Sequence, residues 1–151
     1  MAVNRGGHTA TLLNSGEVLF AGGVGTATAE LYHPEVPIPA PTLFSLSGDG
    51  RGQAVIWHAA TGEIASPTNP AVVGEALSMY TTSLADGGVI RPQVAIGGRL
   101  AEVLYFGAAP GYPGYDQVNF LMPNGVAPGP AVPARLIYLN RPSNEVTIGV
   151  Q

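Results

Sequence analysis

Apolar positions along this chain recur in short bursts. Almost no stretch of about a dozen residues carries apolar side chains at i, i+3, i+4 and i+7 without a Gly or Pro inside it, so helix is expected to be a minor element. The alternating or continuous apolar runs predict strands over His8–Leu13, Val18–Ala21, Ala29–Tyr32, Gln53–Trp57, Ala76–Ser83, Gln93–Ile96, Ala101–Phe106, Gln117–Met122, Val132–Leu139 and Glu145–Val150. Between them lie Asn14-Ser15-Gly16, Gly22-Gly23, Asp49-Gly50, Asp86-Gly87-Gly88, Gly97-Gly98, Pro123-Asn124-Gly125 and Asn140-Arg141-Pro142. These residue types reverse a chain because they tolerate positive φ or fix it, and strands at this spacing predict a sandwich or a barrel.

Glu35 to Thr42 sets prolines at every second position, Pro37, Pro39 and Pro41, which removes backbone donors and favours an extended connector. A boundary is expected there, dividing the chain into an arm (1–34), a Pro-rich linker (35–42) and a main domain (43–151). Ser66-Pro-Thr-Asn-Pro70 reads as the entry to the main sandwich. The arm offers short apolar strands too few to bury themselves, with Val18, Phe20, Leu31 and Tyr32 as candidate contact residues. They are expected to fold back on their own domain or to add to a sheet edge of a neighbouring subunit. In Val132–Leu139 the core is predicted to take Val132, Ala134, Leu136 and Tyr138. The opposite face then holds Pro133, Arg135, Ile137 and Leu139, and its apolar Ile137 and Leu139 predict that it meets another surface.

Composition narrows the function. The 151 residues include 21 Gly and 14 Pro, yet 46% are hydrophobic, which favours many short strands over disorder. Charged residues make up 11%, all six basic residues are arginines, and the net charge is −4. With no basic cluster, nucleic acid and anionic membrane surfaces are poor partners. No cysteine is present, which removes disulfides, thiolate metal sites and cysteine nucleophiles. Met1 to Gly7 has no apolar stretch after Arg5 and no run is long enough for a membrane helix, so the chain stays inside the cell or its export signal lies outside this sequence.

Candidate chemistry is sparse. Gly48-Asp-Gly-Arg-Gly52 could bring backbone N–H groups to an anion, but no Lys-Ser/Thr and no helix follow, so a turn between strands is expected. One carboxylate, Asp49, is too few for a calcium loop. His8, His33 and His58 show no metal-ligand spacing. No Gly-x-Ser-x-Gly elbow occurs, and the acids are scattered. The densest aromatic region is Tyr105, Phe106, Tyr112, Tyr115 and Phe120. Phe106 and Phe120 are expected in the core, while Tyr112 and Tyr115, set between Pro and Gly, either pack their loop onto the sandwich or stack against sugar rings.

Within Arg5 to Pro34, the runs His8-Thr-Ala-Thr-Leu-Leu13, Gly16-Glu-Val-Leu-Phe-Ala-Gly-Gly23 and Ala29-Glu-Leu-Tyr-His-Pro34 resemble one kelch repeat of the bacterial, galactose-oxidase-like kind. One partial copy cannot close a propeller. Residues 43–151 resemble the Solibacter-type C-terminal domain, found at the ends of large secreted bacterial proteins. The carrying motifs are Ser47-Gly-Asp-Gly-Arg-Gly-Gln53, Ser66-Pro-Thr-Asn-Pro70, Val94-Ala-Ile-Gly-Gly98, Ala109-Pro-Gly-Tyr-Pro-Gly-Tyr-Asp-Gln-Val-Asn119, Pro123-Asn-Gly-Val-Ala-Pro-Gly129 and Ser143-Asn-Glu-Val-Thr-Ile148. The chain departs at Thr81 to Asp86, where that family usually sets glycines beside the leucine. The order of elements is also similar to TIG/IPT-type Ig-like domains, which implies a two-sheet antiparallel sandwich and no chemistry.

The expected protein is all-β: an Ig-like antiparallel β-sandwich with an N-terminal strand-forming arm. The expected function is that of a non-catalytic extracellular or cell-surface structural or adhesive module, a homo-oligomer or polymer, with no cofactor, no nucleic acid and no membrane insertion. The alternative is a carbohydrate-binding or accessory domain of a larger secreted protein, with a glycan as partner through Tyr112 and Tyr115.

Overall fold

The computed structural model describes residues 4–33, 39–84 and 90–151. Part of the predicted linker, 35–38, and the Asp86-Gly87-Gly88 turn lie outside the described residues. Those described form strands, turns and bends without helix, and the chain divides into two compact units, 1–37 and 38–151.

The first unit is a three-stranded antiparallel sheet of β1 (Thr9–Leu12), β2 (Val18–Ala21) and β3 (Ala29–Tyr32), with β2 central. Four-residue strands cannot supply an apolar core: every side chain of β1 is exposed and those of β2 are half-buried. A buried cation organises the sheet instead. The Arg5 side chain, 0% exposed, donates from Nε to Glu30 Oε2 at 3.0 Å, from Nη1 to the carbonyls of Thr28 at 2.7 Å and Gly22 at 3.1 Å, and from Nη2 to Thr28 Oγ1 at 3.0 Å. The fork of a guanidinium suits this set of acceptors, which converge from the β2–β3 turn and from β3. Gly23 makes room, since a Cβ there would meet Arg5 Cβ at 3.1 Å.

The second unit is an all-β sandwich. One sheet orders β4 (Ile56–His58), β5 (Ala76–Thr81), β9 (Asp116–Leu121) and β8 (Val103–Ala108). The other places β10 (Gly129–Tyr138) at its centre. One edge of β10 pairs with β6 (Gln93–Ile96), followed by β7 (Arg99–Ala101); the other pairs with β12 (Val146–Val150) and the short β11 (Arg141–Pro142). All ladders are antiparallel, and single parallel bridges from Gln53 to Thr147 and from Ala71 to Val150 extend the outer side of β12. Leu77, Met79, Val118 and Phe120 of the first sheet join Val94, Ile96, Leu136, Val146 and Ile148 of the second in one buried cluster.

The predicted inward face of β10 is observed: Val132, Ala134, Leu136 and Tyr138 are all buried. The opposite face needs correction. Leu139 does not share it: φ is 51° at Leu139 and 58° at Asn140, so both form the tight turn from β10 to β11, and Leu139 packs half-buried against the core. A two-residue hairpin loop with both φ positive matches the strand twist, which is why Arg141-Pro142, expected in a turn, begins a strand. Arg135 pairs with Glu145 at 3.0 Å, leaving Ile137 as the apolar side chain of that face. The predicted run Ala101–Phe106 also splits, its first residue closing the β6–β7 hairpin and the rest opening β8.

The tightest approach is at Gly149 on β12, where a Cβ would lie 2.2 Å from the Ser66 carbonyl oxygen and 2.8 Å from Pro67 N. These are backbone atoms of the turn that carries the chain into the parallel bridge at Ala71, and they cannot swing aside. Gly149→Ala is expected to destabilise the sandwich by about 3 kcal/mol, read as a lowered denaturation midpoint with unchanged slope. Arg5→Lys, with a point charge in place of the fork, should weaken the arm sheet by roughly 2 kcal/mol, seen as faster hydrogen exchange of the β2–β3 amides.

Candidate functional site

The period of two along β5 and β9 sorts their side chains strictly. Leu77↔Phe120, Met79↔Val118 and Thr81↔Asp116 point into the sandwich, whereas Ser78↔Asn119 and Tyr80↔Gln117 point outward. β4 continues the outer row with Trp57 opposite Ser78, and β8 with Tyr105 opposite Asn119. The outer face thus carries aromatic rings on β4, β5 and β8 beside the polar Ser78, Gln117 and Asn119 of the two central strands.

Tyr112 folds onto this face from the loop after β8. That loop is closed by Ala109 N–H donating to the Tyr115 carbonyl at 2.9 Å and by turns at Tyr112 and Tyr115. The Tyr112 ring lies 5.3 Å from that of Tyr80, which lies 5.0 Å from Trp57 in an edge contact at 63°. Tyr115 meets Phe44 edge-on at 5.6 Å. Edge and tilted contacts between rings are attractive and hold the side chains in fixed orientations while leaving area open. Tyr112 and Tyr115 remain 54% and 46% exposed.

Two clefts adjoin along the row Trp57–Tyr80–Tyr112. The first, of about 410 Å³, is closed by Phe44, Val55 and Tyr115; the second, of about 360 Å³, runs over Ser78 and Gln117 to His58. Gln117 Nε2 donates to Asn119 Oδ1 at 2.9 Å, which fixes the two amides side by side. Sequence reasoning leaves Tyr112 and Tyr115 either to pack their loop or to form a platform; in the structure each ring packs against another aromatic, Tyr80 and Phe44 respectively, and stays about half exposed. The structure adds Phe44, Trp57 and Tyr80, which are remote in sequence and meet only through strand register.

The other candidates lie elsewhere. Val18, Phe20, Leu31 and Tyr32 stand on the arm, with Phe20 edge-on to His8 at 5.2 Å. Ile137 and Leu139 belong to the other sheet and its hairpin. His33 contacts Glu17 at 2.6 Å on the arm. Among the described residues no three His, Asp or Glu side chains converge as metal ligands would.

Gly48 to Gly52 forms a turn, as expected, fastened by Asp49. Its Oδ1 accepts from Ser47 Oγ at 2.6 Å, from Arg51 N–H at 2.9 Å and from Ser45 Oγ at 3.2 Å, and the Ser47 hydroxyl foremost holds this carboxyl below its ordinary pKa. Asn144 bridges the same turn to the start of the sandwich, accepting from Leu43 N–H at 2.8 Å and donating to Leu43 O at 2.9 Å and Gly50 O at 2.7 Å. A hollow of about 750 Å³ lies here, but these polar groups are engaged in holding the turn.

His58, at the end of the second cleft, is a strut. Its Nδ1 lies 3.0 Å from Glu75 Oε2 and its Nε2 lies 3.1 Å from the Asn69 carbonyl, so both ring nitrogens face acceptors, which only the imidazolium satisfies as donors. Burial works to lower its pKa, but the Glu75 hydrogen bond, the Asn69 carbonyl and the charges of Glu75 and Glu63 outweigh it and raise the value above the ordinary 6.5.

The chain matches no family model, no curated protein and no solved structure.

The raised pKa of His58 has a definite sign. Folding favours the protonated ring, so its contribution is complete below about pH 6.5 and is lost as pH climbs through the higher folded value. Urea midpoints should therefore fall on going from about pH 5.5 to about pH 8, and His58→Gln should flatten that dependence.

Proposed function

We propose that this chain is a non-catalytic structural module of the cell exterior that self-assembles by strand addition through its N-terminal arm. The observation that carries this reading is the open sheet of the arm: among the described residues no strand pairs with the outer side of β1 or of β3. A three-stranded sheet with both edges bare offers unpaired amides and carbonyls to another chain. The Leu13 N–H bonds to Glu17 O and the Gly22 N–H to Thr28 O, and strand alternation from these points turns the Ala10 and Leu12 amides outward on one edge and the Leu31 amide outward on the other. The two edges belong to different strands, so pairing of the β1 edge of one copy with the β3 edge of the next is head to tail and continues as a filament unless its rotation closes a ring.

Burial points the same way. Leu12, Leu31 and Tyr32 are exposed, and main-chain pairing at either edge would cover part of that surface. Placement outside the cell rests on the resemblance of residues 43–151 to domains that end large secreted bacterial proteins.

Electron microscopy and size exclusion of the full chain, of Ala10→Pro and of a form lacking residues 1–37 test the assembly. Proline at Ala10 removes an outward donor and leaves the β1–β2 ladder its bonds, so filaments or large oligomers should form with the parent chain and be lost in both variants. Compact monomers from all three at high concentration would overturn the proposal.

A further inference from the structure

From the outer face of the β4-β5-β9-β8 sheet we infer that the sandwich binds a neutral polysaccharide chain along the row Trp57–Tyr80–Tyr112. The inference is independent of the assembly through the arm, because every residue it uses lies in the 38–151 unit.

Three properties of the face select this ligand. The first is ring geometry. Trp57, Tyr80 and Tyr112 follow one another at 5.0 and 5.3 Å, tilted against each other so that the row is stiff while Tyr112 stays more than half exposed. The C–H face of a pyranose is weakly positive and flat, and it stacks on the negative face of an aromatic ring as other apolar, edge-positive groups do. A row of rings can seat successive sugars, which favours a chain over a single sugar.

The second is the polar flank. Gln117 stands opposite Tyr80 in the ladder and Asn119 opposite Ser78, and the bond from Gln117 Nε2 to Asn119 Oδ1 leaves Gln117 Oε1 and Asn119 Nδ2 with no protein partner among the described residues. Gln117 lines the second cleft and offers an acceptor there, with the Asn119 donor on the same face of the sheet, and a sugar hydroxyl can both give and take a hydrogen bond. Apolar rings beside a few fixed polar groups are the usual make-up of a small-ligand site, and clefts of about 410 and 360 Å³ fall within the range of such sites.

The third is charge. Among the described residues no Lys or Arg lines either cleft, and His58, at the end of the second, has both ring nitrogens committed to Glu75 and Asn69. A phosphate-bearing or uronic ligand would find no cation, whereas a neutral sugar needs none. A proline-rich peptide also suits aromatic grooves, but it uses donors for its carbonyls and has no hydroxyl pairs for the acceptor that Gln117 presents.

Trp57 is the single tryptophan of the chain, so its emission reports on the site directly. The full-length protein is titrated with cellohexaose, xylohexaose and mannohexaose, with galacturonan oligomers, and with a peptide of residues 34–41. A saturable change in Trp57 emission with at least one neutral hexasaccharide, absent with the charged oligomers, is the expected result. Tyr112→Ala should weaken that binding by roughly tenfold or more, as loss of one stacking ring does, and Tyr112→Phe should preserve it. Gln117→Ala should weaken it while leaving the unfolding midpoint of the sandwich in place. No change in Trp57 emission with any neutral hexasaccharide, binding that survives Tyr112→Ala, or saturable binding of the peptide without any sugar would each overturn the inference.

Discussion

The constraint on which the rest of the sandwich depends is the register between β5 and β9. Pairing Leu77 with Phe120 and Met79 with Val118 fills the space between the sheets with side chains that water cannot reach. Because the pleat alternates, the same pairing places Tyr80 beside Gln117 and Ser78 beside Asn119 on the other surface. A slip of β9 by one residue would put Gln117 into the core and Phe120 into solvent, so apolar burial that stabilises the fold also sets the outer face. Core and candidate site are two sides of one decision.

That dependence explains what could be read in the sequence and what could not. The alternation in Val132–Tyr138 and Ala76–Thr81 is local, and it specifies both strands and their inward residues directly. Trp57 and Tyr80 are different. Each looks like an isolated aromatic in its own run, and they meet because Trp57 pairs with Ser78, which makes Tyr80 its diagonal neighbour. Aromatic density along the chain therefore points to the region from Tyr105 to Phe120, with Tyr112 and Tyr115, and not to Trp57 or Tyr80. Leu139 is misplaced by sequence for a related reason: a continuous apolar run hides a tight turn when the residue with positive φ is a leucine rather than a glycine.

Arg5 shows the limit from the other direction. Read along the sequence it is one charge near the start of the chain, with Gly6 and Gly7 after it, and nothing in its neighbours announces a buried guanidinium. Its acceptors, Glu30, Thr28 and Gly22, come from the far side of the sheet. A small sheet that cannot bury apolar area has an alternative in one cation that satisfies several carbonyls at once, since each of those carbonyls would otherwise keep its water. The two units thus hold together by different physics, a polar hub in the arm and an apolar core in the sandwich.

This difference bears on what each unit can offer a partner. A sheet stabilised from within by a buried charge leaves its outer edges and faces uncommitted, so its remaining interactions are main-chain ones that any extended strand could satisfy, and selectivity must come from register and from the few apolar side chains at the edge. A sheet whose inner face is fixed by a packed core can instead hold individual rings and amides on its outer face to within the tolerance that ligand selection requires, because the side chains beneath them cannot shift. Pairing without strong selectivity suits the proposed assembly of identical chains, and fixed geometry suits the proposed recognition of a sugar chain, so the two proposals draw on different units of the chain.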